Sequence, residues 1–219
     1  MKRTIIFANG TISNISTVHG VVRSDDFVIA ADNGAAHCKR LGLTPHIIIG
    51  DMDSIEPILL AEYEKKGAQI IRHPVEKNET DLELALSYAK TLGANELVVF
   101  GIAGDRWDMT LANALMLARS SLKNISVHAF NDDEELIVIH PGAKRTISGS
   151  PGDTVSIIPL TEQVESVTIE GFRYPLKNEN LSLGSGRGVS NILLASEGTV
   201  TLKKGGLLCI ITRRTTGDS

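Results

Sequence analysis

A change of texture near residue 130 restricts the fold of this chain more than any other feature. Before it, short apolar runs alternate with stretches of helical spacing. After it, one strand-like run follows another. The early runs are Thr4–Ala8, Phe27–Ala31, His46–Ile49, Gln69–Ile71, Glu96–Phe100 and Ile125–Phe130, rich in Ile and Val and mostly without polar alternation. An uninterrupted apolar strand must be covered on both faces, as in a parallel sheet flanked by helices. The clearest helix starts at Thr80. Leu82, Ala85, Leu86 and Ala89 form one stripe, Thr80 with Glu83 reads as a capping box, and Gly93 supplies a stop. A second helix is predicted from about Asp108 to Ser121, with Leu111, Ala114, Leu115 and Ala118 on one face.

Beyond residue 132 the runs Glu135–His140, Thr146–Ser148, Thr154–Leu160, Val164–Ile169, Leu181–Leu183, Gly198–Lys203 and Leu207–Thr212 are separated by Pro/Gly-rich turn signals. No stretch there keeps helical periodicity over three turns. The reading is therefore an α/β N-terminal domain with a mostly parallel sheet over residues 1–132. An all-β sandwich or jelly-roll-like domain follows over 133–219. The boundary falls between Asn131 and Lys144.

Composition narrows the function. A net charge of −4 and a pI near 5.9 argue against a nucleic-acid binder led by electrostatics. Cys38 and Cys209 are the only cysteines, too far apart in sequence for a metal-ligand pair, so a reducing cytoplasm is the simpler expectation. The apolar stretch Ile5 to Ala8 is too short for a signal-peptide core, and no run approaches the roughly 18 apolar residues of a membrane span.

Acidic residues gather where an open α/β sheet binds ligands, at the carboxyl ends of strands. Phe27–Ala31 ends in Asp32-Asn33-Gly34, and His46–Ile49 ends in Gly50-Asp51-Met52-Asp53-Ser54. Asp81 opens the capped helix, and Asp105 and Asp108 follow the strand Glu96–Phe100. Singly, each acid reads equally as turn or helix-cap chemistry. Jointly, carboxylates without cysteine or paired histidine form a hard-oxygen site suited to Mg²⁺ and polyphosphate. Nearby glycines, Gly34, Gly50, Gly101 and Gly104, permit close backbone approach, and Arg106 is placed to neutralise phosphate charge. Trp107 reads either as a stacking platform for an aromatic ligand or as a core aromatic. No P-loop, protein-kinase signature or nucleophile elbow is present. Gly184-Ser185-Gly186-Arg187-Gly188 has no amphipathic helix after it and reads as a turn, and His37 reads as surface or satisfied core.

Four segments in this order resemble the bacterial thiamine pyrophosphokinases: Asp32-Asn33-Gly34-Ala35, Gly50-Asp51-Met52-Asp53-Ser54, Glu79-Thr80-Asp81-Leu82-Glu83, and Gly104-Asp105-Arg106-Trp107-Asp108 with Leu111-Ala112-Asn113. Gly152-Asp153, Ser156–Leu160, Gly171–Leu176 and Gly188-Val189-Ser190-Asn191 extend the resemblance through the C-terminal part. The resemblance implies transfer of the β,γ-pyrophosphoryl group of ATP to thiamine, giving thiamine diphosphate and AMP, by a homodimer. It implies that Asp51, Asp53 and Asp81 hold Mg²⁺ and that Asp81, Asp108 and Arg106 are catalytic. Asp32, Asn33, Gly34, Thr80 and Gly104 would shape the nucleotide rim, and Ser190 and Asn191 would recognise thiamine across the dimer. The chain departs from many relatives at Asp105, at Met109 and at Asn78, where Lys77-Asn78 stands for a commoner Lys-Asp, without losing a carboxylate the chemistry needs. Two other readings stay open on the residues: a pyrophosphokinase for another alcohol such as a hydroxymethylpterin, and a non-catalytic thiamine or nucleotide sensor.

Overall fold

The six early apolar runs become strands β1 (Arg3–Phe7), β2 (Phe27–Ala31), β3 (Ile47–Gly50), β4 (Gln69–Arg72), β5 (Glu96–Phe100) and β6 (Ser126–Asn131). The computed structural model describes residues 3–142 and 144–214. These belong to two compact units, Met1–Asp132 and Asp133–Ser219. In the first unit the strands pair in parallel in the order β4-β3-β2-β1-β5-β6. Every residue of β3, and all but the first residue of β1, β2 and β5, is buried, because helices cover both faces. The helices are α1 (Ile15–Val21), α2 (Gly34–Arg40), α3 (Pro57–Lys65), α4 (Asp81–Thr91) and α5 (Trp107–Met116).

The strand order places the site. From β1 the chain lays down β2, β3 and β4 outward on one side, then returns so that β5 pairs with the other edge of β1. The connections leaving β1 and β5 therefore run apart, and a crevice opens between them at the carboxyl rim.

Helix α4 matches its prediction, with Leu82, Ala85, Leu86 and Ala89 buried. Its capping box is half formed. Thr80 Oγ1 accepts from the Glu83 amide at 3.2 Å, whereas the Glu83 carboxylate pairs with Arg119 at 2.6 Å. Helix α5 differs. It ends at Met116, followed by a short 3₁₀ turn (Ser120–Leu122), and its leucine stripe faces solvent, with Leu111 60% and Leu115 50% exposed. Trp107 is 84% exposed, which removes the core reading of that ring. The buried residue is Asn113, whose amide donates to the Ile102 carbonyl at 2.8 Å. That polar anchor sets the rotation of the helix, and the apolar stripe does not.

The second unit contains β7 (Glu134–Ile139), β8 (Arg145–Ser148), β9 (Thr154–Pro159), β10 (Gln163–Glu170), β11 (Leu176–Ser182), β12 (Asn191–Ile192), β13 (Glu197–Thr201) and β14 (Leu207–Thr212). They pair antiparallel in two layers, β12-β9-β14-β7 and β11-β10-β13-β8. Ile137, Val155, Ile157, Cys209 and Ile211 of one layer share a core with Ile147, Val164, Ile169, Leu181 and Val200 of the other. Strand β11 starts earlier than the run at Leu181 suggested, because Lys177 to Asn180 are polar and largely exposed. Among the described residues, no helix is long and apolar enough to cross a membrane.

Candidate active site

A cavity of about 480 Å³ opens at the carboxyl rim of the parallel sheet. Its wall draws on the segment after β1 (Ala8, Asn9, Gly10), the end of β2 and the residue after it (Ala31, Asp32), the segments after β3 (Asp51, Asp53, Ser54) and β5 (Ile102 to Arg106), with Lys77, Thr80 and Asp81 before and at the start of α4. It sits at the topological switch between β1 and β5. His37 of α2 steadies the wall, its Nε2 lying 2.7 Å from the Gly10 carbonyl.

Three carboxylates meet there. One oxygen each from Asp32, Asp51 and Asp53 lies within 4.8 Å of the others. Asp32 and Met52 both adopt left-handed backbone, at φ 46° and φ 66°, a strained conformation that turns the chain sharply off each strand end. Gly50 lets the groups close in. A Cβ at that position would lie 3.0 Å from Asp81 Oδ1 and 3.1 Å from Asp32 Cβ. Asp32 is 3% exposed, and its Oδ1 has no hydrogen-bond partner. Burial pushes the Asp32 carboxyl above the usual carboxylate range, and the charges of Asp81 and Asp51 add to the rise.

Asp81 enters the same cavity with a partner that the motif reading missed. Lys77 Nζ lies 2.7 Å from Asp51 Oδ2 and 3.1 Å from Asp81 Oδ1. The Lys77 hydrogen bond holds Asp51 below the usual carboxylate range. Its i, i+4 spacing to Asp81 is the signal by which sequence could have found it. Thus Asp32, not Asp81, completes the closest set of three acids, and Asp81 joins it through Lys77. Asn9, Ser54 and Asn113 also line the cavity without having been singled out as site residues. Ser54 donates to Asp53 at 2.8 Å, and Asn113 Oδ1 is buried without a partner.

The remaining sequence-derived residues fall at the rim or behind it. Arg106 lines the cavity and pairs with Asp108, which is outside the lining and whose carboxyl this bond holds below the usual range. The Gly104 amide donates to Thr110 Oγ1 at 3.2 Å. Thr80 lines the wall while capping α4. Asn33 donates to Asn9 at 3.0 Å. Gly34 is a packing residue, since a Cβ there would lie 1.9 Å from the Phe7 carbonyl oxygen.

Ser190 and Asn191 belong to the second unit, beside a cavity of about 460 Å³ lined by Arg173, Tyr174, Leu176, Arg187, Val189 and Asn191 among others. Ser190 is exposed at φ 58°, and its amide donates to Ser156 Oγ at 3.0 Å. Asn191 is buried and mostly committed. Its carbonyl oxygen accepts from the Tyr174 and Ile192 amides, and its Nδ2 donates to the Tyr174 carbonyl at 2.7 Å.

This arrangement has counterparts. The family model "Thiamin pyrophosphokinase, catalytic domain" matches residues 18–129, and "Thiamin pyrophosphokinase, vitamin B1 binding domain" matches residues 143–207. The chain belongs to the thiamine pyrophosphokinase family. A thiamine pyrophosphokinase of Bacillus subtilis is 31% identical over 96% of this chain and 98% of that protein. Thiamine pyrophosphokinase 1 of Oryza sativa is 29% identical over 70% of this chain and 61% of that protein. The crystal structure of the Bacillus subtilis enzyme superposes with a TM-score of 0.87, covering 98% of this chain and all of that one. The enzyme from Geobacillus thermodenitrificans gives 0.82 at 25% identity, covering 99% of each.

The donor set fits a hard divalent cation. It is all carboxylate oxygen, closely spaced, and it contains a buried oxygen, Asp32 Oδ1, without a hydrogen-bond partner.

Proposed function

We propose that this chain is a working thiamine pyrophosphokinase that uses ATP and thiamine as substrates and Mg²⁺ as cofactor. Residues 1–132 form the pyrophosphoryl-transfer unit and residues 133–219 the thiamine-binding unit. The observation that carries this reading is the convergence of Asp32, Asp51 and Asp53 at the switch point, with Asp32 Oδ1 bare.

In the reaction the hydroxyethyl oxygen of thiamine attacks the β-phosphorus of ATP. The bond from that phosphorus to the α,β-bridging oxygen breaks, and AMP departs. Asp32, Asp51 and Asp53 would hold Mg²⁺, which would supply charge neutralisation on the polyphosphate. Lys77 and Arg106, both in the lining, supply the protein's own positive charge. Asp81, which faces the cavity, takes the hydroxyl proton, and Asp108 orients Arg106. Such chemistry asks mostly for positioning, with little covalent participation by the protein. The exposed hydroxyl of Ser190, with the loop that Asn191 braces at Tyr174, receives thiamine. The working form is a cytoplasmic homodimer, a reading supported by the exposed apolar row Trp107, Leu111 and Leu115, which association would cover.

The test is to incubate the protein with ATP, Mg²⁺ and either thiamine or a hydroxymethylpterin, and to look for AMP and the diphosphate ester. AMP with thiamine alone is the expected result, and AMP with neither alcohol would overturn the assignment. Asp81→Asn keeps the side-chain volume and removes the proton acceptor, so turnover should fall by at least about a hundredfold with the fold intact. Near-normal turnover would remove Asp81 from that role.

A further inference from the structure

Lys77 lies where a cation would be needed if no metal were present. Its ammonium is 2.7 Å from Asp51 Oδ2 and 3.1 Å from Asp81 Oδ1, and the lysine and Asp51 side chains are each only 10% exposed. The other oxygen of Asp51 accepts from the Asp53 amide at 3.2 Å. Both oxygens of Asp51 are therefore engaged within the protein, whereas Asp32 Oδ1 has no hydrogen-bond partner. Five aspartates line the cavity, and four of them, Asp32, Asp51, Asp53 and Asp81, surround the lysine's end of it and repel one another where water is partly excluded. One ammonium between two of them relieves that repulsion, but it also occupies a lone pair that a divalent ion would use.

We propose that Lys77 is a resident counter-ion that competes with the divalent cation for Asp51 and yields when polyphosphate arrives to take its ammonium. The inference rests on the metal–polyphosphate reading of this cavity and adds to it a cause of coupling. Without nucleotide, the cation must displace the lysine from Asp51 and leave it Asp81 in place of two carboxylates. With nucleotide, the phosphate oxygens offer the ammonium a new partner, and Asp51 is released at little cost. Cation and nucleotide thus enter cooperatively, and Lys77 is a positioning residue as well as a phosphate contact.

The experiment is a titration with Mn²⁺, following the free ion by electron paramagnetic resonance, with and without α,β-methylene-ATP, whose α,β link cannot be broken. In the wild type, Mn²⁺ should bind weakly alone and markedly more tightly with the analogue. In Lys77→Met the affinity for Mn²⁺ alone should rise by about tenfold, because a positive charge beside the ligands is gone. Binding of the analogue should weaken at the same time. Lys77→Arg should keep the wild-type pattern. If Lys77→Met does not fold, Lys77→Gln, which retains hydrogen-bonding reach without charge, is titrated in its place. Unchanged or weaker Mn²⁺ binding by the uncharged variants overturns the role of Lys77 alone. If Asp51→Asn binds Mn²⁺ as the wild type does, the metal site falls, and the inference with it.

Discussion

Asp32 combines three costs in one side chain: left-handed backbone, near-complete burial, and a carboxylate oxygen without a partner. Each would be selected away in a residue that served only the fold. Asp32→Asn should therefore stabilise the cation-free protein, by roughly 1 kcal/mol, while lowering kcat/KM at least about a hundredfold. Calorimetry without divalent ions and an AMP-release assay measure the two effects. A variant that is less stable and fully active would reverse the interpretation. Asp51 is the counterpart, a carboxylate made comfortable by Lys77. Two acids of one cavity, from separate segments, thus stand in opposite electrostatic conditions, a difference that residue type does not reveal.

Among the elements, α4 links stability to the site, since its first residue is Asp81 and its cap is Thr80. Thr80→Ala removes the acceptor of the Glu83 amide and should cost about 1 kcal/mol. It should also loosen the first turn, so activity should fall while the far end of α4 keeps its amide protection in hydrogen exchange. Uniform loss of protection along the helix would mean that the cap supports the whole element. The strands of the first unit and helix α4 were legible because burial on two faces and a 3.6-residue stripe are local patterns. The inward face of α5 was not. Its leucines form the stronger stripe, yet Asn113 turns inward to the Ile102 carbonyl, a partner on another segment. Strand β12 was illegible for a similar reason: two residues long, it exists only through its pairing with β9.

On the scale of the whole molecule, the two units rest on different devices. The first hides uninterrupted apolar strands under helices, and the second interleaves two antiparallel layers. In the second, Asp153 ties the β8–β9 turn to the residues that follow β14, accepting from the Ser150 amide at 2.8 Å and the Arg214 amide at 2.9 Å, with Arg213 at 3.4 Å. Burial alone would raise its pKa, but these donors outweigh burial and lower it below the ordinary 3.8. A carboxyl lowered by folding contributes stability that is complete above its unfolded pKa and is lost as pH falls through the folded value. Asp153→Asn should therefore cost about 2–3 kcal/mol near pH 6. The gap from the wild type should narrow below about pH 3.8. Thermal unfolding followed from pH 6 to pH 3 measures this, and a gap independent of pH would assign the loss to packing.

Local sequence determined the alternation of strand and helix, the two-layer character of the later strands, and the placing of acids just after strand ends. These depend on periodicity and on turn chemistry, which neighbours along the chain decide. Tertiary structure alone decided which oxygens meet within 4.8 Å, that Lys77 stands between two of the acids, and that Asn191 spends its carbonyl oxygen on the Tyr174 and Ile192 amides. Those distances follow from strand order, and strand order is set by the packing of segments that are remote in sequence.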